Sequence, residues 1–155
     1  MMAQVGAPLS GDAAHIAFDR TCRANTEATL RYRCWVITAS MDGSVAGLLG
    51  LGRKADVVEI GGMILPEWQG RGISGHAFPL GMQVAFSDPA VLHMMIRYRS
   101  ANVLAAGLMY KIGFKKIADA HPDDGMERWW LTREDWFRWK TTPSRSSSRL
   151  VGEDG

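Results

Sequence analysis

Cysteine, paired histidines, an excess of one charge and long apolar runs are all scarce in this chain, and each scarcity removes a class of protein. Cys22 and Cys34 are the only cysteines among 155 residues, which rules out a disulfide framework and predicts reduced, partly buried thiols. His15, His76, His93 and His121 are scattered, with no two at helical ligand spacing, so no metal is expected. Lysine and arginine number 18 against 16 acidic residues, a surplus too small to predict a nucleic-acid partner. The basic residues Arg31, Arg33, Arg53 and Lys54 are interleaved with acids and form no stripe. No run reaches the length of a membrane span, and the start of the chain lacks a basic leader followed by an apolar core. No membrane partner and a cytoplasmic location are therefore expected. What remains is 46% hydrophobic and 22% charged, the make-up of a globular protein of single-domain length.

The patterning supplies elements for such a domain. Ser10 to Arg23 opens with a capping residue, carries Asp12 in its first turn and ends in basic residues, as an amphipathic helix does. Leu30 to Ser40 is rich in aromatic and β-branched residues and meets Asp42-Gly43, a strong hairpin signal. Ser44 to Leu51 returns, and a polar turn at Arg53 to Asp56 leads to Val57 to Leu65, predicting a three-strand antiparallel meander. Gly72 to Phe86 reads as a helix that Pro79 should kink or delay. Val91 to Ile96 reads as a buried strand, and Ser100 as the cap of a helix from Ala101 to Ile112 that Gly113 stops. Phe114 to Ala118 and Glu127 to Leu131 read as short strands, His121 to Gly125 as a turn, and Arg133 to Trp139 as a last helix capped by Thr132. Met1 to Pro8 suits either an edge strand or a disordered lead. Residues 1–140 thus form one expected domain, and 141–155 an expected disordered tail.

The chain is organised around Glu59-Ile60-Gly61-Gly62-Met63-Ile64-Leu65-Pro66-Glu67-Trp68-Gln69-Gly70-Arg71-Gly72-Ile73-Ser74-Gly75, a buried strand running into a glycine-rich turn and then a helix. Gly70, Gly72 and Gly75 supply backbone freedom and keep Cβ atoms out of a ligand's way. Amides at the helix start, with the positive end of its dipole behind them, make an anion site suited to a pyrophosphate. The mononucleotide P-loop fails for want of a Gly-Lys-Ser/Thr ending. The dinucleotide fingerprint has its glycine spacing here but lacks the acidic residue after the next strand, which ends in Arg97, Tyr98 and Arg99.

Gln69-Gly70-Arg71-Gly72-Ile73-Ser74 resembles the Gln/Arg-x-x-Gly-x-Gly/Ala signature of the GNAT N-acetyltransferase superfamily, with Ser74 where Gly or Ala is usual. Asn102-x-x-Ala105-x-x-Leu108-Met109-Tyr110-Lys111-Ile112-Gly113-Phe114 resembles the second coenzyme motif of that superfamily. The likeness covers about Leu30 to Trp136. Glu59-Ile60-Gly61 and Leu131-Thr132-Arg133-Glu134-Asp135-Trp136 are similar to the branch of the ribosomal-protein alanine acetyltransferases.

The resemblance implies an α/β (α+β) fold, with a mixed, mostly antiparallel central sheet flanked by helices and a wedge for acetyl-CoA where two strands splay apart. It implies that the backbone of Met63 and Ile64 pairs with the pantetheine arm, that Gln69, Gly70, Arg71, Gly72, Ile73, Ser74 and Gly75 take the pyrophosphate, and that Asn102 holds the far side of the coenzyme. An amine must be neutral to attack a thioester, so a base is expected. Glu59 is the candidate, against the plainer role of a strand carboxylate paired with an arginine. The tyrosine that protonates the departing thiolate in many relatives is replaced by Met109, and Tyr110, one residue on, turns about 100° away. Arg97 stands where some relatives carry a catalytic Glu, and a guanidinium is no base.

Three functions follow for testing: an acetyl-CoA-dependent N-acetyltransferase, an acyl-CoA-binding relative without efficient turnover, and a nucleic-acid module resting on the scattered basic residues. The acceptor is an amine of a small molecule or a peptide. A peptide N-terminus, a polyamine, an amino sugar and an antibiotic all stay open. Trp129, Trp130, Trp136 and Trp139 could cover their own core or the partner surface of a homodimer.

Overall fold

The computed structural model describes residues 9–40, 42–118 and 125–142. Helix α1, Gly11–Thr26, follows Ser10 in extended conformation, and no side-chain bond caps it. None of its residues is buried, and Ile16 and Phe18 face outward. Polar contacts fasten it to strand β1, Tyr32–Thr38. The Asn25 carboxamide donates to the Cys34 carbonyl at 2.7 Å and accepts from the Cys34 amide at 2.9 Å, and Arg33 donates to the Ala24 carbonyl at 2.6 Å.

The expected meander is present. Asp42 accepts from the Ser44 amide at 2.9 Å, and Gly43 sits at φ 73°, which turns β1 into β2, Val45–Lys54. A second tight turn, with Ala55 at φ 56°, leads to β3, Val57–Ile64. Both pairings are antiparallel. A single 3-10 turn, Pro66–Trp68, precedes helix α2, Ile73–Phe86, which crosses over to β4, His93–Arg99. Helix α3, Val103–Lys111, and the short β5, Lys115–Lys116, are followed by β6, Met126–Thr132, and helix α4, Arg133–Thr141. The sheet order is β1-β2-β3-β4-β6-β5, and only β3 and β4 run parallel.

Strand alternation decides the two faces of the sheet. Leu49, Leu51, Val58, Ile60, Met94, Ile96, Trp129 and Leu131 enter one core with Phe78, Met82 and Phe86 of α2, Met109 of α3 and Trp136 of α4. Gly81 lets α2 approach closely, since a Cβ there would meet Leu49 at 2.8 Å. A kink or a late start is the expectation at Pro79; the late start does not occur, because the core holds α2 together from Ile73 onward. An interior proline costs about 3 kcal/mol, whereas each of Phe78, Met82 and Phe86 gains roughly 1.5–3 kcal/mol by full burial, and these residues lie on both sides of Pro79.

The start of α3 also departs from the reading. Ser100 donates its hydroxyl to the Gly125 carbonyl at 3.1 Å, and Asn102 holds the capping position. Thr132 does cap α4, accepting from the Asp135 amide at 3.0 Å. With Leu131 and Trp136 buried, the Leu131-to-Trp136 motif acts here as a strand end and helix start. Met1 to Pro8, His121 to Asp124 and the tail from residue 143 lie outside the described residues.

Candidate functional site

The parallel ladder is short. β3 and β4 pair at Val57↔His93, Val58↔Met94 and Glu59↔Met95, and there the pairing stops. β3 runs on to Ile64 held by β2 (Gly47↔Ile64), while β4 runs on to Arg99 held by β6 (Arg99↔Met126). Each strand thus follows its outer partner, and the two part beyond Glu59 and Met95. The inner edges of this wedge carry backbone groups without ladder partners, which suit an extended ligand added like a strand.

The direction of those groups corrects one expectation. The Leu65 amide donates to Ala46 of the strand-β2 side at 2.9 Å, and the Met63 carbonyl points at Gly47. Alternation then turns Met63 towards β2 and leaves Gly62 and Ile64 facing the wedge. Of the two backbone positions expected to meet the pantetheine arm, Ile64 faces the wedge and Met63 faces β2, with Gly62 beside Ile64 on the wedge side. The Ile64 carbonyl is taken by the Gln69 side chain at 3.0 Å, so Gln69 ties the turn back to β3 and the Ile64 amide is the group left for a ligand.

The glycine turn lies at the end of β3. Gly70 and Gly72 have φ of 73° and 76°, and a Cβ at either would meet nothing within 4 Å. Conformation, not crowding, therefore requires glycine here, and the space above the turn is open. Gly72 is the N-cap of α2 and offers no side chain, so the following amides of Ile73, Ser74 and Gly75 remain donors without helical partners. Arg71 stacks on Trp68, 4.9 Å from the ring centre. Sequence reasoning passed over Lys111, whose Nζ stands 3.7 Å from where a Gly75 Cβ would be. Its place two residues before Gly113, inside the second motif, was the available signal.

Asn102 stands at the matching end of β4. Its side chain makes no capping bond to α3, which leaves the carboxamide without the plain structural role considered for it. The glycine turn and Asn102 thus follow the carboxyl ends of the two splayed parallel strands, where open α/β sheets take their ligands.

Glu59 occupies the last rung before the strands part. Val58 and Ile60 turn into the core, while Glu59 points to the other face with its side chain 38% exposed. Arg97, 45% exposed, donates from Nε to Oε1 at 2.8 Å and from a terminal nitrogen to Oε2 at 3.1 Å. The valine and isoleucine neighbours therefore do not dry the carboxylate; a guanidinium grips it. Met109 is 1% exposed in the core, and Tyr110 is 68% exposed with its ring edge-on to Trp129 at 4.6 Å. Tyr98 donates to Glu127 Oε2 at 2.9 Å. Burial, and then the Glu127 carboxylate, push the Tyr98 hydroxyl well above the usual phenol range. Lys116, and then Tyr98, hold the Glu127 carboxyl below the usual range.

On the outward face, beside Glu59 and Met95, lies an open hollow of about 600 Å³ that extends past Trp130 to Arg31, Arg53 and Lys54. Among the described residues no group of three or more His, Cys, Asp or Glu could hold a metal ion, and no helix is long and apolar enough to cross a membrane.

The fold has solved counterparts. The spermidine N-acetyltransferase of Vibrio cholerae, solved in complex with CoA and spermine, is similar with a TM-score of 0.73 and 16% identity, over 88% of this chain and 84% of that one. An acetyltransferase of Agrobacterium tumefaciens str. C58 is similar with a TM-score of 0.67 and 17% identity, over 84% of this chain and 77% of that one. A probable acetyltransferase reaches 22% identity and a TM-score of 0.67, over 77% of this chain and 70% of that one. At these identities the likeness speaks for the fold. No curated protein matches. The model of the acetyltransferase (GNAT) domain matches residues 1–115, and with that match over most of its 155 residues the chain belongs to the GNAT acetyltransferase family.

Proposed function

We propose that this acetyltransferase moves the acetyl group of acetyl-CoA to a primary amine of a small molecule or peptide. The observation that carries the reading is the β3–β4 ladder that ends after Glu59↔Met95, with the left-handed glycine turn at one open end and Asn102 at the other. The residues fit the coenzyme. Gly62 and the Ile64 amide pair with its pantetheine arm, the amides from Gly70 to Gly75 receive its pyrophosphate, and Arg71 and Lys111 add positive charge beside them. Asn102 donates to and accepts from the opposite side.

In the reaction the amine nitrogen attacks the thioester carbon, the C–S bond breaks and the thiolate leaves. Glu59 takes the proton that the amine must lose, and the incoming ammonium displaces Arg97 from it. With Met109 at the usual tyrosine position, water supplies the proton to the thiolate. Gly62 and Ile64 lie where a backbone amide can steady the thioester oxygen.

A second reading, an acyl-CoA-binding protein without efficient turnover, is favoured by the Arg97 grip on Glu59 and by Met109. Thiol release from acetyl-CoA with a panel of amines separates the two. Coenzyme binding together with amine-dependent release supports the first; binding with no release above background supports the second.

A further inference from the structure

The hollow beside Glu59 has a charge pattern that its place in the wedge does not require. It reaches the last rung of the β3–β4 ladder through Glu59 and Met95, and its far end is built by Arg31, Arg53 and Lys54. Of the four charged residues that line the hollow, Arg31, Arg53, Lys54 and Glu59, two are paired. Arg53 pairs with Asp88 at 2.5 Å, Glu59 pairs with Arg97 at 2.8 Å, and Asp56 lies 3.4 Å from His93 Nδ1. Among the described residues Arg31 and Lys54 have no ion-pair partner, and Glu59 is the only carboxylate lining the hollow. Among the described residues that line the hollow, two cations are left over and no anion.

These cations are not placed to serve the coenzyme phosphates. Lys54 lies opposite Val57, at the start of β3, whereas the glycine turn follows Ile64. At about 3.3 Å per residue the two ends of β3 are roughly 23 Å apart. Glu59 lies opposite Gly52, only two residues from Lys54. A molecule whose amine sits at Glu59 therefore extends its other end towards Lys54 and Arg31.

Resting on the acetyl-transfer reading, we infer that the acceptor is an amine that carries an oxyanion, a carboxylate or a phosphate, at its far end, and that the hollow rejects polyamines. A second ammonium would meet Lys54 and Arg31 with no free carboxylate among the described lining residues to receive it, and like charges placed together select against the wrong partner. This separates the chain from the Vibrio cholerae enzyme solved with spermine, whose fold it shares.

The test pairs 6-aminohexanoate with cadaverine, which share a five-carbon chain and differ in carrying a carboxylate or a second ammonium. Spermidine and 2-aminoethyl phosphate complete the panel. Thiol release should show kcat/KM at least tenfold higher for 6-aminohexanoate or the aminophosphate than for cadaverine or spermidine, and whichever oxyanion leads identifies the group. Lys54→Glu and Arg31→Glu, both at exposed positions, should raise KM for the favoured amine at least tenfold and narrow its lead over cadaverine, with acetyl-CoA affinity unchanged. Lys54→Met gives a milder version of the same shift. The inference is overturned if a polyamine is the better substrate, if the charge reversals leave the preference intact, or if other amines are acetylated and no oxyanion-bearing amine is. Failure of acetyl-CoA to bind, or binding with thiol release from no amine at all, would instead overturn the underlying acetyl-transfer reading.

Discussion

Arg97 holds Glu59 by both carboxylate oxygens, at 2.8 and 3.1 Å, two residues beyond the point where β3 and β4 part. The pair stands at the apex of the wedge and at the mouth of the outward hollow, so an amine arriving there meets a carboxylate that it must win from a guanidinium. Glu59→Gln keeps the shape but cannot take a proton. At saturating acetyl-CoA it should lower the maximal rate about a hundredfold, with coenzyme affinity unchanged. Both side chains are partly exposed, so solvent screens the ion pair, its loss costs only about 0–1 kcal/mol of stability, and the melting temperature should hardly move. Near-normal turnover in this variant would make the pair structural.

Gly72 tests the turn. A valine there must adopt φ 76° at the N-cap of α2, a conformation that costs a β-branched residue heavily. In the wild type a large excess of acetyl-CoA should raise the melting temperature by binding the folded state alone. In Gly72→Val that rise should vanish, as differential scanning fluorimetry would show. A full rise in the variant would place the phosphates elsewhere.

Much of this arrangement is legible in the sequence, and the reasons are local. Asp42-Gly43 fixes the first hairpin, the polar turn at Arg53 to Asp56 the second, and the glycines read for their backbone freedom include Gly70 and Gly72, which are left-handed. What stayed hidden depends on contacts far apart in the chain. Nothing near Glu59 shows that Arg97, 38 residues on, will grip it. Pro79 signals a kink or a late start, and burial on both sides of it lets α2 begin at Ile73 all the same. Whether Met63 or Gly62 turns its backbone groups to the wedge depends on how β2 pairs with β3, which composition does not reveal. Ile16 of α1 belongs to the expected amphipathic pattern and yet is exposed.

The Tyr98–Glu127–Lys116 cluster predicts an acid limb in stability. The folded-state value of Glu127 is depressed, first by the hydrogen bond from Lys116 and then by that from Tyr98. Its contribution is therefore fully present above the ordinary glutamate range and is lost as pH falls through the lower folded value. Glu127→Gln should flatten the fall of melting temperature below about pH 4.5 and lower the melting temperature at pH 7. An unchanged acid profile would show that Glu127 carries no such linkage.

Tyr110 tests the assignment of the proton donor. Its ring is exposed and rests edge-on against Trp129, and Met109 takes the buried place beside it. Tyr110→Phe should keep the maximal rate within a few-fold, because a positioned general acid contributes about a hundredfold or more. A hundredfold loss with coenzyme binding intact would name Tyr110 as the donor.

The central claim is that the parted edge of β3 and the turn beyond it bind the coenzyme. Amide hydrogen exchange with and without saturating acetyl-CoA tests this most directly, because it reads the backbone groups assigned to the contact. The account predicts slowed exchange at Gly62, Ile64 and the amides from Gly70 to Gly75, with α1 unaffected. Protection confined to other segments, or none at those amides while acetyl-CoA is demonstrably bound, would contradict it.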